Sequence, residues 1–384
     1  MAVSLLDPDA LRRQAEEEIG AADWGPAFDV ALSQLCKSVR DEAGLDATGE
    51  ARFAAQLLGL LKTRLQLYAD RALHPEIAAQ KIVAPLIVTG LPRSGTTILH
   101  GLLAQDPRAR SPQSWEVDNP SPPPRAATYR SDPRIAAAQA GVDALPAAFK
   151  AMHAMGATLP QECNSVMQLA FASPNFGATM AIPSYMRWLL EEADMAPAFA
   201  LHRDVLQSLQ AFAPGAWWVL KSPPYLWWPD ALLAAYPDAR LVVTHRDPAE
   251  VMASNASLIA WLREQSGPVD RRFVGAEQTA QWELALDRFA AFRATRADNA
   301  GIVDCLYRDL VRDPLTLVEA IYDRFGMTLT NDARDAMERF MAENTQGKHG
   351  THRYDPADFG LEPAVVRARF ATYAARHAIP LGAA

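Results

Sequence analysis

"KIVAPLIVTGLPRSGTTILH", Lys81 to His100, runs from an apolar segment through a glycine-flanked loop into a helix-forming stretch. The spacing of Gly90 and Gly95 is that of a P-loop, G-x-x-x-x-G-K-[ST], but Thr96 stands where that motif has its lysine. The two glycines permit close backbone approach. Successive N–H groups can form an anion nest, and the start of a helix adds a partial positive charge. In loops that cleave nucleoside triphosphates, the lysine reaches the β- and γ-phosphates and a carboxylate at another strand end helps hold magnesium. Here Arg93 carries the charge inside the loop, and the run "LVVT" leads into His245 and Arg246 rather than an acid. The pattern predicts a site rich in cations and short of metal ligands. It suits a donor whose terminal group needs no magnesium and which carries a further phosphate near Arg246.

Working outward, four short apolar runs read as buried strands: "KIVAPLIVTG", "AWWVLKS", "ARLVVTHR" and "GIVDCLYRD". Each is followed by helical patterning, the signature of a parallel sheet with crossover helices. The expected fold class is α/β, a three-layer P-loop-like arrangement with a central parallel sheet flanked by helices. Residues 1–80 form an N-terminal helical extension, in which Phe53, Leu57, Leu61, Leu65 and Tyr68 recur at helical spacing. Residues 81–384 form the main domain, with an insertion at about 106–214 that is rich in Met, Pro and aromatics. Ligands of open α/β sheets bind beyond the carboxyl ends of the strands, so the insertion is expected to act as a lid over that edge.

Composition narrows the function. The chain has 384 residues, 49% hydrophobic and 21% charged, enough to bury a sizeable core without staples. Cys36, Cys163 and Cys305 match no metal spacing or disulfide framework, and the expected setting is a reduced, cytoplasmic one. The N-terminus has no basic region followed by an apolar core, so no secretory leader is expected. The uncharged stretch Cys163 to Met186 is broken by Asn164, Pro174, Asn175 and Pro183 and reads as buried loop and helix rather than a membrane span. A formal net charge of −8 argues against a nucleic-acid partner, which binds through summed Lys and Arg contacts. An anionic ligand must be held by a few local donors.

Three blocks in chain order, "PRSGTT", "VLKSPPYLWWPDALLAAYPDARLVVTHRDPAEVMAS" and "YRDLVRDP" followed by "FGMTL", resemble the sulfotransferases that use 3′-phosphoadenosine 5′-phosphosulfate. The resemblance spans about residues 85 to 355 and is greatest to the bacterial branch with "GKHG" and "HRY" near the end. It implies that the donor's 5′-phosphosulfate lies on Arg93, Ser94, Gly95, Thr96 and Thr97. It implies, too, that Arg246 and Ser254, eight residues apart in "HRDPAEVMAS", hold the 3′-phosphate. Tyr307 resembles the family's tyrosine near the adenine. Lys348, His349 and Gly350 resemble its basic loop over the 3′-phosphate. No metal is implied, and a homodimer is compatible with the family.

Sulfuryl transfer, like phosphoryl transfer, needs cations at the leaving oxygen and a base near the acceptor hydroxyl. Arg93 and Lys221 are the candidates for the cations. In "KSPP", Pro223 occupies the position at which cytosolic relatives carry a catalytic histidine, so that role does not carry over. In the branch that includes tyrosylprotein sulfotransferases the base is a glutamate about two dozen residues after the loop arginine, a placement that Glu116 fits. His153 and Glu162, both in the insertion, are its rivals. The expected acceptor is a small hydrophobic or aromatic molecule bearing a hydroxyl, meeting Met152, Met155, Phe176, Tyr185, Trp188, Tyr225 and Trp227. Two other functions compete: a P-loop kinase using ATP, which Thr96 disfavours, and a catalytically silent nucleotide-binding protein, for which Arg93, Lys221, Arg246 and Ser254 together would be superfluous.

Overall fold

The computed structural model describes residues 4–146, 150, 155–296, 299–344 and 354–382. Its centre is a parallel sheet of β1 (Leu86–Gly90), β2 (Ala109–Arg110), β3 (Trp217–Lys221), β4 (Arg240–His245) and β5 (Ile302–Leu306), in the order β2-β3-β1-β4-β5. The four apolar runs supply β1, β3, β4 and β5. The edge strand β2 escapes sequence reading because two residues, Ala109 and Arg110, carry no period.

Side-chain alternation along the strands builds the three layers. Leu86, Val88, Val219 and Val242 face one apolar cluster, with Leu99 and Leu102 of the helix Thr96–Leu103 and Ile321 and Met337 of two later helices. Ile87, Leu220, Leu241 and Val243 face the other, a larger cluster. That cluster takes in the N-terminal helices Pro8–Ile19, Asp29–Glu42 and Ala47–Leu73, much of the insertion, and the long helices Pro248–Glu264 and Arg271–Ala294. Phe53, Leu57, Leu61, Leu65 and Tyr68 are all buried in it. Arg64, fully buried, binds the extension to the insertion. Its guanidinium donates to the carbonyls of Trp24 (2.7 Å), Leu169 (2.8 Å) and Pro26, and lies 4.3 Å from the Phe28 ring centre.

The insertion is mainly core. Leu201, Val205, Leu206 and Leu209 of the helix Ala196–Ala211 are buried, while the stretches around Glu162 and Asn175 reach the sheet's carboxyl edge. Among the described residues, no helix is long and apolar enough to cross a membrane.

Two histidines are sealed in this interior. His100 lies 3.3 Å from the Val219 carbonyl. His202 pairs with the Tyr236 hydroxyl at 2.6 Å and the Tyr225 hydroxyl at 3.3 Å. Burial pulls each down to about 3, with the Lys221 charge adding to the effect at His100. The unfolded chain takes up these protons near pH 6.5, whereas the folded chain stays neutral down to about 3. Stability is therefore expected to fall as pH drops through that window, by up to about 1.4 kcal/mol per pH unit for each histidine. Urea unfolding at pH 7, 6 and 5 checks this, and His202→Gln is expected to flatten the slope even if it lowers the whole curve.

Candidate functional site

The loop after β1 is held from both sides by the neighbouring strand ends. Gly90 pairs with Thr244 of β4 at φ 136°, where an added Cβ would stand 2.4 Å from the Thr244 carbonyl oxygen. Only glycine fits there. The Ser94 hydroxyl, fully buried, donates to the Leu91 carbonyl and lies 2.6 Å from Thr244 Oγ1. The Thr89 hydroxyl donates to the Ser222 carbonyl at 2.9 Å, just past β3. Arg93 (φ 61°) and Gly95 (φ 92°) both have left-handed backbones. Such strain in a non-glycine residue is characteristic of functional loops. Gly95 then caps the helix Thr96–Leu103, whose first turn is available to an anion.

Four elements converge on this loop. Arg93 Nε donates to Ser254 Oγ at 3.1 Å, and Arg246 donates to the Arg93 carbonyl at 2.9 Å. Arg246 also pairs with Glu250, one helical turn on, at 2.8 Å. Its guanidinium sits 4.2 Å from the centre of the Tyr307 ring, which packs so closely on Gly95 that a Cβ there would lie 2.9 Å from Tyr307 Cδ2. On the other side Lys221, almost wholly buried, donates to Thr97 Oγ1 at 3.2 Å and pairs with Glu162. Glu162 precedes the short helix Cys163–Val166 of the insertion.

Several of these groups line one end of a cleft of about 890 Å³, with the buried Lys221 and Ser254 held against them from behind the lining. Arg93, Thr96, Thr97, Glu162, Arg246 and Tyr307 form its charged end. Met155, Met180, Met186, Trp227, Ile259 and Trp282 form an apolar wall, and Leu45, Arg52, Phe53 and Gln56 of the N-terminal extension close the far side. Trp227 and Trp282 stack with ring centres 4.4 Å apart.

A family model described as the Sulfotransferase family matches residues 85–332. Among solved structures, sulfotransferase STF1 from Mycobacterium tuberculosis H37Rv is 34% identical, with 96% of this chain and 99% of that one covered and a TM-score of 0.82. Sulfotransferase STF9 from Mycobacterium avium is 28% identical, with 99% and 98% covered and a TM-score of 0.88. A comparison with curated proteins finds no match.

The structure thus brings Arg93, Gly95, Thr96, Thr97, Lys221, Arg246, Ser254 and Tyr307 together. Ser94 belongs to the loop, but its hydroxyl is turned into the fold. His153, Lys348, His349 and Gly350 lie outside the described residues. Of the aromatic and methionine candidates, Met155 and Trp227 line the cleft, whereas Phe176, Tyr185 and Tyr225 are core, and Met152 lies outside the described residues. The wall residues Arg52, Gln56 and Trp282 went unnoticed in the sequence, and Phe53 was read only as part of a packing face, because all four are ordinary positions on long helices. Among the described residues, His245, Asp304 and His377 have metal-like spacing, but Arg293 donates to the same Asp304 oxygen at 2.7 Å, and the two imidazoles stack at 3.9 Å.

At Glu116 the structure differs from the placement over the strand edge that its spacing suggested. The residue is fully buried and does not line the cleft. One carboxylate oxygen pairs with Arg110, and the other accepts from the Gln113 N–H and the Tyr129 hydroxyl, both at 3.0 Å. It is the counter-charge of a buried edge-strand arginine and the closing residue of a capping box, for which "QSWE" is the sequence signal. Glu116→Ala would strand Arg110 without its partner and is expected to cost about 3–5 kcal/mol in urea unfolding. The double change Arg110→Met/Glu116→Leu is expected to cost less than the single one.

Proposed function

The chain belongs to the sulfotransferase family, and on that premise we propose that it moves the sulfuryl group of 3′-phosphoadenosine 5′-phosphosulfate to a hydroxyl of a small acceptor with an apolar or aromatic body. The observation that carries this reading is the convergence of Arg93, Ser254, Arg246 and Tyr307 on a loop that lacks the P-loop lysine. Arg246 and Ser254 hold the 3′-phosphate, and Tyr307 lies beside the adenine. The loop N–H groups and the start of the helix Thr96–Leu103 take the 5′-phosphosulfate. The same reading has the enzyme working in the cytoplasm without a metal, in keeping with three buried free cysteines.

The chemistry follows from the charged end of the cleft. Glu162 takes the proton of the acceptor hydroxyl as that oxygen bonds to sulfur. The bond from sulfur to the bridging oxygen breaks, and the electron pair leaves with the nucleotide. Lys221 and Arg93 stabilise the charge that develops on that oxygen, inside a site where the lysine is nearly dehydrated. Of the two candidate acids among the described residues, Glu116 and Glu162, it is Glu162 that combines access to the cleft with contact to Lys221. The apolar wall accommodates the acceptor's carbon body, and its three methionines adapt to more than one shape.

Calorimetric titration tests the donor: 3′-phosphoadenosine 5′-phosphate is expected to bind, and ATP with magnesium to bind weakly or not at all. A preference for ATP with magnesium overturns the reading in favour of a kinase. Arg246→Ala is expected to weaken the bisphosphate roughly 10- to 100-fold, the loss of one or two charge-assisted hydrogen bonds. Glu162→Gln is expected to lower kcat by about 10²- to 10⁴-fold with nucleotide affinity kept. On the acceptor side, Gln56→Trp narrows the cleft and is expected to raise KM for steroid-sized alcohols while leaving simple phenols and the nucleotide unaffected.

A further inference from the structure

Arg246 stands between two residues that the C-terminal segment holds. On one side is His245, the last residue of β4. Its Nε2 lies 2.8 Å from Asp304 Oδ1, its Nδ1 lies 2.9 Å from the Tyr373 hydroxyl, and its ring stacks on His377 at 3.9 Å. On the other side is Asp247, which is 3% exposed. Its Oδ1 caps the helix Pro248–Glu264 through the Ala249 N–H at 3.0 Å. Its Oδ2 accepts three hydrogen bonds from the segment: Arg367 Nε at 3.0 Å, Arg367 Nη2 at 2.8 Å and the Gly382 N–H at 2.9 Å. Burial would raise the Asp247 carboxyl, but the Arg367 hydrogen bonds and the two N–H donors outweigh it and hold the group below its ordinary value.

The clasp is built into the packing. Phe359, Val366 and Phe370 of the same segment are buried in the larger apolar cluster, so the chain is anchored on either side of Arg367. Arg246 itself reaches forward to the Arg93 carbonyl, Glu250 and the Tyr307 ring, and none of these contacts fixes its Cα. Its backbone is set by the paired end of β4, by a hydrogen bond with Tyr373, and by the residue on each side of it, each of which is bound to residues 367–382. All of those residues lie beyond the stretch 85–332 that the family model matches.

From this geometry we infer that the C-terminal segment positions Arg246 for the donor's 3′-phosphate, with Arg367, through Asp247, as the principal positioning residue and Tyr373, through His245, as the second. The inference rests on the proposed role of Arg246. Neither residue touches the nucleotide. What they supply is a fixed strand end from which a guanidinium can meet a phosphate without first being ordered, and the ordering of such a side chain otherwise weakens binding.

A purely structural clasp and a positioning clasp differ in one measurable ratio. Full-length protein is titrated with 3′-phosphoadenosine 5′-phosphate and with adenosine 5′-phosphate, which lacks the 3′-phosphate. Wild type, Arg367→Met, Arg367→Lys, Tyr373→Phe and Arg246→Ala are compared. Arg367→Met is expected to cut the affinity ratio of the two nucleotides about tenfold, toward that of Arg246→Ala, with adenosine 5′-phosphate binding little changed. Arg367→Lys is expected to recover part of the ratio, and Tyr373→Phe, which removes one hydroxyl and keeps the fold, to lose about threefold. An unchanged ratio in both Arg367→Met and Tyr373→Phe, whatever their thermal stability, overturns the inference and leaves the role of Arg246 standing. A wild-type protein that does not distinguish the two nucleotides overturns that role, and this inference with it.

Discussion

The site depends on one close approach, that of Gly90 to Thr244. At the end of the central strand the backbone turns at φ 136° with no room for a Cβ. From there Ser94 is tied to Thr244 and Thr89 to the Ser222 carbonyl, so the loop is fixed to the ends of both neighbouring strands before any ligand arrives. A loop fixed in this way holds Arg93 in a strained left-handed backbone and presents the start of a helix, which on its own is only a weak anion site. Arg246 and Ser254 depend on the same contact. They belong to the strand and helix that Thr244 leads into, and Arg246 donates back to the loop's own Arg93.

Buried charge separates structural from functional residues in this protein. Two of the buried cations, Arg110 and Lys221, are each paired with a carboxylate, whereas Arg64 is held by carbonyls, because a charge left alone in the interior is costly. Arg110 is satisfied by Glu116, whose two oxygens are both taken by neighbours in the fold and which does not line the cleft. Lys221 is satisfied by Glu162, which opens onto 890 Å³ of space shared with Thr97 and Arg93. The two pairs are alike in chemistry and differ in access. Access is a tertiary property, which spacing from the loop arginine does not report.

The legible parts of the sequence are those in which cause and effect lie within a turn or two of chain. The glycine spacing, the apolar strands and the arginine-to-serine spacing in "HRDPAEVMAS" are local patterns, and the central parallel sheet follows from them. The edge strand was hidden because two residues carry no period. The Lys221–Glu162 pair was hidden because its members are 59 residues apart, and Arg367–Asp247 because 120 residues separate them. Phe53 could be read as apolar and helical, but nothing local says that the helix carrying it borders a cleft whose charged end lies beyond residue 90.

This division of labour along the chain also bears on specificity. Among the described residues, Arg93, Thr96, Thr97, Glu162, Arg246 and Tyr307 at the charged end of the cleft all lie within the matched stretch 85–332. The far wall at Leu45, Arg52, Phe53 and Gln56, and the clasp at Arg367 and Gly382, come from outside it. A cation at a leaving oxygen has little freedom of placement, since its effect rests on contact distances to a group that does not vary. An apolar wall has much more freedom, because burial is non-directional and one hydrophobic shape can replace another of similar volume. The wall contributed by the N-terminal helices is therefore the part of the cleft that tolerates substitution most readily, since changes there leave the loop, Arg246 and the sheet that holds them in place.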